Sequence, residues 1–167
     1  MSIAVYPGSF DPVTLGHLNI IKRASRCFDK LIVCVMINSN KTGMFTPDER
    51  VDFLRRATER FPNVEVDFSN ELLAAYAKRR GAQVVVKGLR AVSDYEQEVQ
   101  MAVINRKLNP DLETLFLASS EKYTYLSSTI VKEMARYGAD LTDFIPREIV
   151  DEVNARMAQL QKERKGN

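Results

Sequence analysis

The sequence predicts an α/β domain built on a doubly wound parallel sheet of five strands, with helices on both faces and a C-terminal helical extension. Short β-branched runs alternate with longer stretches of helical period, and turn residues separate them, which is the pattern of βα units. The apolar runs are mostly continuous, as expected of parallel strands that are covered on both faces. The 167 residues, 45% of them hydrophobic, fit one domain. The expected architecture is Rossmann-like.

The predicted elements follow from these runs in chain order. The strands are placed at Ile3–Tyr6, Leu31–Ile37, Val64–Phe68, Val84–Lys87 and Thr114–Ala118. Helices are expected after Gly16, from Pro47, over Leu72–Arg80, from Ser93 to about Leu108, from Ser127, and from about Pro146, with a frayed tail at about 162–167. The second helix has the clearest start, because Thr46, Pro47 and Glu49 supply an N-cap, a first-position proline and a capping-box carboxylate.

Charge and cysteine content exclude several function classes. Lys and Arg number 24 and Asp and Glu 22, a net charge of +2, so neither nucleic acid nor a membrane is expected as a partner. The longest apolar run, Leu31–Ile37, is far shorter than the roughly 20 residues of a membrane helix, and no signal peptide is seen, so we expect a cytoplasmic protein. Cys27 and Cys34 lack zinc or disulfide spacing and are expected to be reduced core thiols, with no protein-held metal.

The segment from Gly8 to His17 (GSFDPVTLGH) lies between the first strand and the first helix. Ligands of open parallel sheets bind beyond the carboxyl ends of the strands, and the N-terminus of the following helix favours an anion. His17, the one histidine of the chain, would there donate a ring N–H to a phosphoryl oxygen. The alternative is a turn whose histidine caps the helix locally. The glycine spacing matches neither a P-loop nor a dinucleotide motif.

Three further segments follow predicted strands and therefore belong to the same rim of the sheet. Lys41 lies in a polar loop, and Lys87 and Arg90 flank Gly88 and Leu89 at the end of the fourth strand. Such cations can bind phosphoryl groups, or they are ordinary solvated surface charges. The hydroxyl-rich segment 123–133 can likewise hold triphosphate oxygens at a helix start, or its hydroxyls are plain N-caps.

Two of these segments carry a family resemblance. GSFDPVTLGH resembles the N-terminal signature of the nucleotidyltransferases, whose T/H-x-G-H element is shared with class I aminoacyl-tRNA synthetases, and LSSTIVKE resembles their I-S-S-[ST]-x-x-[KR] signature. Thr14 at the first position of T/H-x-G-H is similar to the phosphopantetheine adenylyltransferase branch, whereas nicotinate-mononucleotide adenylyltransferases and cytidylyltransferases usually carry His there. The resemblance covers essentially the whole chain and implies a single nucleotidyltransferase domain over residues 1–167.

The resemblance implies a reaction of coenzyme A synthesis, in which 4′-phosphopantetheine receives the adenylyl group of ATP and pyrophosphate leaves. It also implies Mg²⁺ bound with ATP, and a homohexamer. The implied catalytic residues are His17, Lys41 and Arg90. Implied ATP contacts are Ser9, Phe10, His17, Gly88, Leu89, Arg90, Glu98, Tyr123, Thr124, Tyr125, Leu126, Ser127, Ser128 and Thr129. Implied contacts of the acceptor are Ser9, Lys41, Leu73, Lys87 and Asn105, although helical spacing alone would place Leu73 in the core.

The residues themselves favour transfer without a protein nucleophile. No cysteine lies in a motif, and a phosphate acceptor is already an oxyanion at neutral pH, so catalysis reduces to positioning and charge stabilisation. Two alternatives stay open at this point. One is a nucleotidyltransferase for another phosphorylated acceptor, such as nicotinate mononucleotide, and the other is a non-catalytic nucleotide-binding module on the same fold.

Overall fold

Five parallel strands form one sheet in the computed structural model, which describes residues 1–166 except the side chains of Val92 and Ser93. The strands are β1 Ile3–Gly8, β2 Lys30–Met36, β3 Val64–Ser69, β4 Val84–Leu89 and β5 Glu113–Ala118. They lie in the order β3-β2-β1-β4-β5, so the direction of winding reverses between β1 and β4. The predicted parallel sheet is confirmed, and each strand lies within two residues of its predicted bounds.

The described residues form six α-helices. They are α1 Leu15–Ala24, α2 Pro47–Thr58, α3 Leu73–Arg79, α4 Val92–Leu108, α5 Ser128–Arg136 and α6 Val150–Lys165, with 3₁₀ turns at Glu121–Tyr123 and Arg147–Ile149. Helices α1 to α4 connect successive strands, and α5 and α6 follow the last strand. The predicted capping box of α2 is present, since Thr46 Oγ1 accepts from the Glu49 N–H at 3.2 Å and Glu49 Oε2 accepts from the Thr46 N–H at 2.8 Å.

Several helix ends differ from their predictions. Helix α1 begins at Leu15 instead of after Gly16, because Thr14 is its N-cap, and α6 begins at Val150, after a 3₁₀ turn, instead of at about Pro146. Helix α4 begins at Val92 with Ala91 at its N-cap, one residue before the predicted start at Ser93, whose side chain lies outside the described residues. Helix α6 continues through Lys165, across most of the segment predicted to fray, because Gln159 and Glu163 bond one turn apart and the Gly166 N–H donates to the Lys162 carbonyl. Asn167 lies outside the described residues.

The central strands β1, β2 and β4 are buried on both faces, which explains their continuous apolar runs. Ala4 and Tyr6 of β1 enter a core shared with α1, α2, α5 and α6, while Val5 between them enters a second core against α3. Cys34 is buried in that second core, but Cys27 is exposed near the end of α1, so the prediction that both thiols are buried is wrong for Cys27. Within residues 1–166, no helix is both long enough and apolar enough to cross a membrane.

Strands β1 and β4 separate toward their carboxyl ends. They pair only at Ala4–Val84 and Val5–Val85, whereas β1 pairs with β2 along its whole length. The Ile3 carbonyl accepts from the amide that precedes β4, and alternate residues of a strand bond to the same side, so Pro7 also faces β4. Because proline has no N–H to donate, the ladder loses a hydrogen bond there, at the point where the pairing ends. The gap that results is the floor of the candidate site.

Candidate active site

A cleft of about 350 Å³ opens where β1 and β4 separate. This is the topological switch point of the sheet, where open α/β folds bind their ligands. Three of the four predicted segments line the cleft, with these predicted residues: Ser9, Phe10, His17, Lys87, Gly88, Arg90, Glu98, Tyr123, Leu126, Ser127, Ser128 and Thr129. The remaining lining residues include Tyr6, Thr14, Ile20, Asp94 and Ser119.

His17 belongs to a capping box at the start of α1. Its Nδ1 accepts from the Thr14 N–H at 3.0 Å, and Thr14 Oγ1 accepts from the His17 N–H at 3.2 Å. An Nδ1 that accepts a hydrogen bond carries no proton, so this contact assigns the neutral tautomer with its proton on Nε2. Local capping and ligand binding were alternatives for this residue, yet one imidazole can do both, because capping uses Nδ1 and leaves the Nε2–H as a donor.

The surroundings of His17 keep its ring neutral. Burial, followed by the positive charges of Arg90 and Lys87, lowers the pKa of His17 from 6.5 to about 4, because each of these factors disfavours the imidazolium. At neutral pH the residue is therefore a hydrogen-bond donor and no acid. Phe10 packs edge-on against the ring with centroids 5.0 Å apart. Phe10 is itself almost fully buried, so its side chain supports His17.

The cations of the cleft are held by acidic partners on α4. Lys87 Nζ lies 3.3 Å from Glu98 Oε1, and Arg90 Nε lies 3.3 Å from Asp94 Oδ2. Arg90 also donates through Nη1 to the Leu126 carbonyl at 3.0 Å, which ties the end of β4 to the segment before α5. Asp94 could have been found from the sequence, since it follows Arg90 by four residues at the start of a predicted helix.

The hydroxyls at the start of α5 have different tasks. Ser127 is the N-cap, and its Oγ accepts from the Ile130 N–H at 3.1 Å. Ser128 donates to the Pro12 carbonyl at 2.8 Å, so it joins the fourth segment to the first. Thr129 is exposed on the first turn. The amides of Ser128 and Thr129 precede the first intrahelical bond, which makes this turn a site for phosphate oxygens.

Six predicted site residues do not line the cleft. They are Lys41, Leu73, Leu89, Asn105, Thr124 and Tyr125. Lys41 is exposed in the loop between β2 and α2, while Leu73 and Asn105 belong to α3 and α4, which pack on each other. Spacing along the sequence places these side chains near the rim but does not fix which way they point.

The cleft has no cluster of metal-binding side chains of its own. Across residues 1–166, no three His, Cys, Asp or Glu side chains lie close enough to hold a metal ion. Its two acidic residues, Asp94 and Glu98, are engaged by Arg90 and Lys87. Such a donor set fits a cation that arrives with the oxygens of its own ligand, as Mg²⁺ does with phosphates.

Comparison with known proteins identifies the class that this fold and cleft define. Residues 5–134 match the family described as cytidylyltransferase-like, so the chain is a nucleotidyltransferase-type domain. A crystal structure from Vibrio parahaemolyticus that carries the name nicotinate-nucleotide adenylyltransferase superposes with a TM-score of 0.70 over 94% of this chain and 95% of that one. Its identity is only 17%, so this likeness shows the fold alone.

Curated relatives narrow the class. A phosphopantetheine adenylyltransferase of Caldanaerobacter subterraneus subsp. tengcongensis is 54% identical over 87% of this chain and 91% of its own length. A relative of the same name from Alkaliphilus metalliredigens is 52% identical over 87% of this chain and 93% of its own length. Another, from Clostridium botulinum, is 48% identical over 94% of this chain and 96% of its own length. The chain belongs to the phosphopantetheine adenylyltransferase family.

We expect the single histidine to titrate with a pKa of about 4 and to carry its proton on Nε2 above that pH. Long-range ¹H–¹⁵N correlation spectra can follow it without ambiguity, since the chain has one His. Because the pKa is lowered in the folded state, the stabilisation from the neutral ring is complete above pH 6.5 and is lost as the pH falls toward 4. Arg90→Gln should raise the pKa by removing a nearby positive charge. A pKa of 6.5, or a proton on Nδ1, would contradict the assignment.

Proposed function

We propose that the chain transfers the adenylyl group of ATP to 4′-phosphopantetheine, giving dephospho-coenzyme A and pyrophosphate. The observation that carries the proposal is the cleft at the β1–β4 switch point, where His17, Arg90 and the first turn of α5 face one space in a chain of this family. A phosphate oxygen of the acceptor attacks the α-phosphorus in line. The new P–O bond forms as the bond to the β-phosphate bridging oxygen breaks, and pyrophosphate takes both electrons of that bond.

The chemistry needs donors more than it needs a base. The acceptor phosphate is mostly ionised at neutral pH, with a second pKa of about 6, so no side chain has to deprotonate it. The neutral His17 then offers its Nε2–H to an α-phosphoryl oxygen, and Arg90 and the α5 amides balance charge as pyrophosphate departs. Leu89, Thr124 and Tyr125 remain predicted ATP contacts beside these groups.

Mg²⁺ belongs to the proposal as a companion of ATP. When bound, it would draw negative charge from the triphosphate and help pyrophosphate to leave. The pairing of Asp94 with Arg90 and of Glu98 with Lys87 supports coordination mainly by phosphate oxygens and water.

The acceptor is proposed to lie across the rim toward α3 and α4. Lys41 and Lys87 are assigned to its phosphate, and Leu73 and Asn105 to its pantetheine arm. Support comes from the fold, because α3 and α4 pack on each other and the Asn109 side chain, one turn after Asn105, donates to the Ala74 carbonyl next to Leu73 at 3.4 Å. The assignment of Lys41 requires its loop to bring the exposed ammonium over the cleft. The cytoplasmic location stays a prediction.

A panel of phosphorylated acceptors tests the reaction. With ATP and Mg²⁺, we expect pyrophosphate release with 4′-phosphopantetheine at rates well above those with nicotinate mononucleotide or glycerol 3-phosphate. Release of pyrophosphate with another acceptor alone would assign a different nucleotidyltransferase activity. Binding of ATP without release on any acceptor would favour the non-catalytic alternative.

Replacement of His17 separates its two roles. His17→Ala should lower kcat by about 10²–10³-fold, with a much smaller change in ATP affinity, because it removes a donor to the reacting phosphate. His17→Asn is the matched variant. The oxygen of the asparagine side chain can still accept from the Thr14 N–H in the capping box, but the side chain is too short to place a donor where Nε2 was. We expect this variant to fold as stably as the parent and to be as slow as His17→Ala. Full turnover in either variant would remove His17 from the mechanism.

We further propose that the chain self-associates, as the homohexamer that the resemblance implies. Helix α4 and the edge strand β5 leave several apolar side chains between 44% and 64% exposed. The exposed residues are Met101, Val103, Ile104, Leu108 and Leu115. Apolar patches of this kind are typical of protein interfaces.

Light scattering coupled to gel filtration tests the assembly. We expect a particle of six times the 19.0 kDa chain mass. Val103→Glu, which introduces a charge at a position 64% exposed in the single chain, should reduce the particle mass without unfolding the protomer. A parent protein that elutes as a monomer would contradict the proposal.

A further inference from the structure

Asp11 belongs to the first motif, yet it is absent from the cleft lining. Only 4% of this residue is exposed, and its carboxylate turns toward the loop that carries Lys41. Oδ2 accepts from the Met44 N–H at 2.8 Å, and Oδ1 accepts from the Phe45 N–H at 2.9 Å. The two carboxylate oxygens thus accept hydrogen bonds from two consecutive backbone amides at the end of the loop.

Two cations complete the surroundings of this carboxylate. Arg50 Nε of α2 lies 3.5 Å from Oδ1, and Lys132 Nζ of α5 lies 3.6 Å from Oδ2. Arg50 also donates to the Phe45 carbonyl at 2.8 Å and to the Ser9 carbonyl at 3.5 Å. Asp11 therefore joins the nucleotide-side turn, the Lys41 loop, the first turn of α2 and the middle of α5.

The end of the loop is packed tightly against this cluster. A Cβ atom on Gly43 would lie 1.6 Å from Arg50 Nη2 and 3.0 Å from Asp11 Oδ2. Only glycine allows the backbone to come so close without displacing the arginine. Lys41, two residues earlier, is exposed. The loop thus has an anchored end at 43–45 and an exposed stretch at 39–42.

We propose that Asp11 is a positioning residue for Lys41: it anchors residues 43–45, the fixed end from which the exposed stretch of the loop brings the Lys41 ammonium over the cleft to the acceptor phosphate. The inference rests on the proposed role of Lys41. An aspartate suits this position because it accepts through both oxygens and balances Arg50 and Lys132. An asparagine would turn an NH₂ group toward one of the two loop amides and would leave both cations without their counter-ion.

The decisive variant is Asp11→Asn in the full chain. Misplacement of a binding group by about 1 Å can cost on the order of 10²-fold in rate, so we expect kcat/KM for 4′-phosphopantetheine to fall by about that factor. The dissociation constant of ATP should change by less than about threefold, since Arg90 and the α5 amides stay in place. Trypsin should cleave after Lys41 faster than in the parent, because the loop has lost its anchor.

A double-mutant cycle with Lys41→Ala separates positioning from a general structural effect. If Asp11 acts through Lys41, the second substitution adds almost nothing to the loss caused by Lys41→Ala. If Asp11 only supports the fold, the fold-decrease in acceptor kcat/KM caused by Asp11→Asn multiplies with the fold-decrease caused by Lys41→Ala. Multiplying losses, an equal loss of ATP affinity, or an unchanged acceptor kcat/KM would each overturn the proposal.

Glu65→Gln is the matched control. Glu65 also lies between a lysine and an arginine, with Lys30 Nζ 2.5 Å away and Arg80 bonded to its other oxygen. It stands near the start of β3, at the opposite edge of the sheet from the cleft. Its loss should lower thermal stability but leave acceptor kcat/KM and cleavage after Lys41 as in the parent, and a loss like that of Asp11→Asn would overturn the proposal.

Gly43→Ala provides a second route if Asp11→Asn does not fold. The added methyl would lie 1.6 Å from Arg50 Nη2 and 3.0 Å from Asp11 Oδ2, so either the loop or the guanidinium paired with Asp11 must shift, and we expect the same selective loss of acceptor kcat/KM. Unchanged acceptor kinetics in this variant would overturn the proposal. If the parent itself releases no pyrophosphate with 4′-phosphopantetheine, the proposed function fails, whereas the trypsin comparison still decides whether Asp11 anchors the loop.

Discussion

The site depends on one missing backbone hydrogen bond. Pro7 faces β4 but has no N–H to donate, and β1 and β4 pair no further than Val5 and Val85. Beyond these residues the two strands separate toward their carboxyl ends. Their separation creates a space that both strand ends and the helices following them can line. Gly88 of β4 also lines this space and packs closely against α1, because a Cβ atom at position 88 would lie 3.1 Å from Ile20. A continuous ladder at this point would close the floor of the cleft.

The groups around that space are held in place by contacts within the protein. Arg90 bridges Asp94 and the Leu126 carbonyl, Lys87 is held by Glu98, and the imidazole is fixed by Thr14. Such pairs reduce the repulsion among neighbouring cations and fix their directions before a ligand binds. In the proposed reaction, a bound triphosphate would take over as the anionic partner of these cations, and groups already held in place would need little reorganisation as charge develops.

Sequence periodicity sufficed for the five strands, their parallel arrangement and the convergence of three motifs, because these follow from burial and from the geometry of βα units. It could not supply side-chain direction. Lys41 follows a strand as the other motifs do, yet it lies outside the cleft. Phe10 lines the cleft, as predicted, but spacing gave no sign that its ring also packs edge-on against His17, and the buried role of Asp11 had no signal in spacing. Such details depend on rotamers and on contacts between segments distant in the chain.

The hydrogen bond from the Thr14 amide to Nδ1 has a consequence for how acidity would act on the proposed reaction. A ring that stays neutral well below pH 6 contributes no ionisation of its own to the proposed reaction in the range where cells operate. The incoming phosphomonoester does ionise there, with a second pKa of about 6. A decrease in the rate of the proposed reaction on mild acidification would accordingly come from protonation of the acceptor phosphate, and not from protonation of His17.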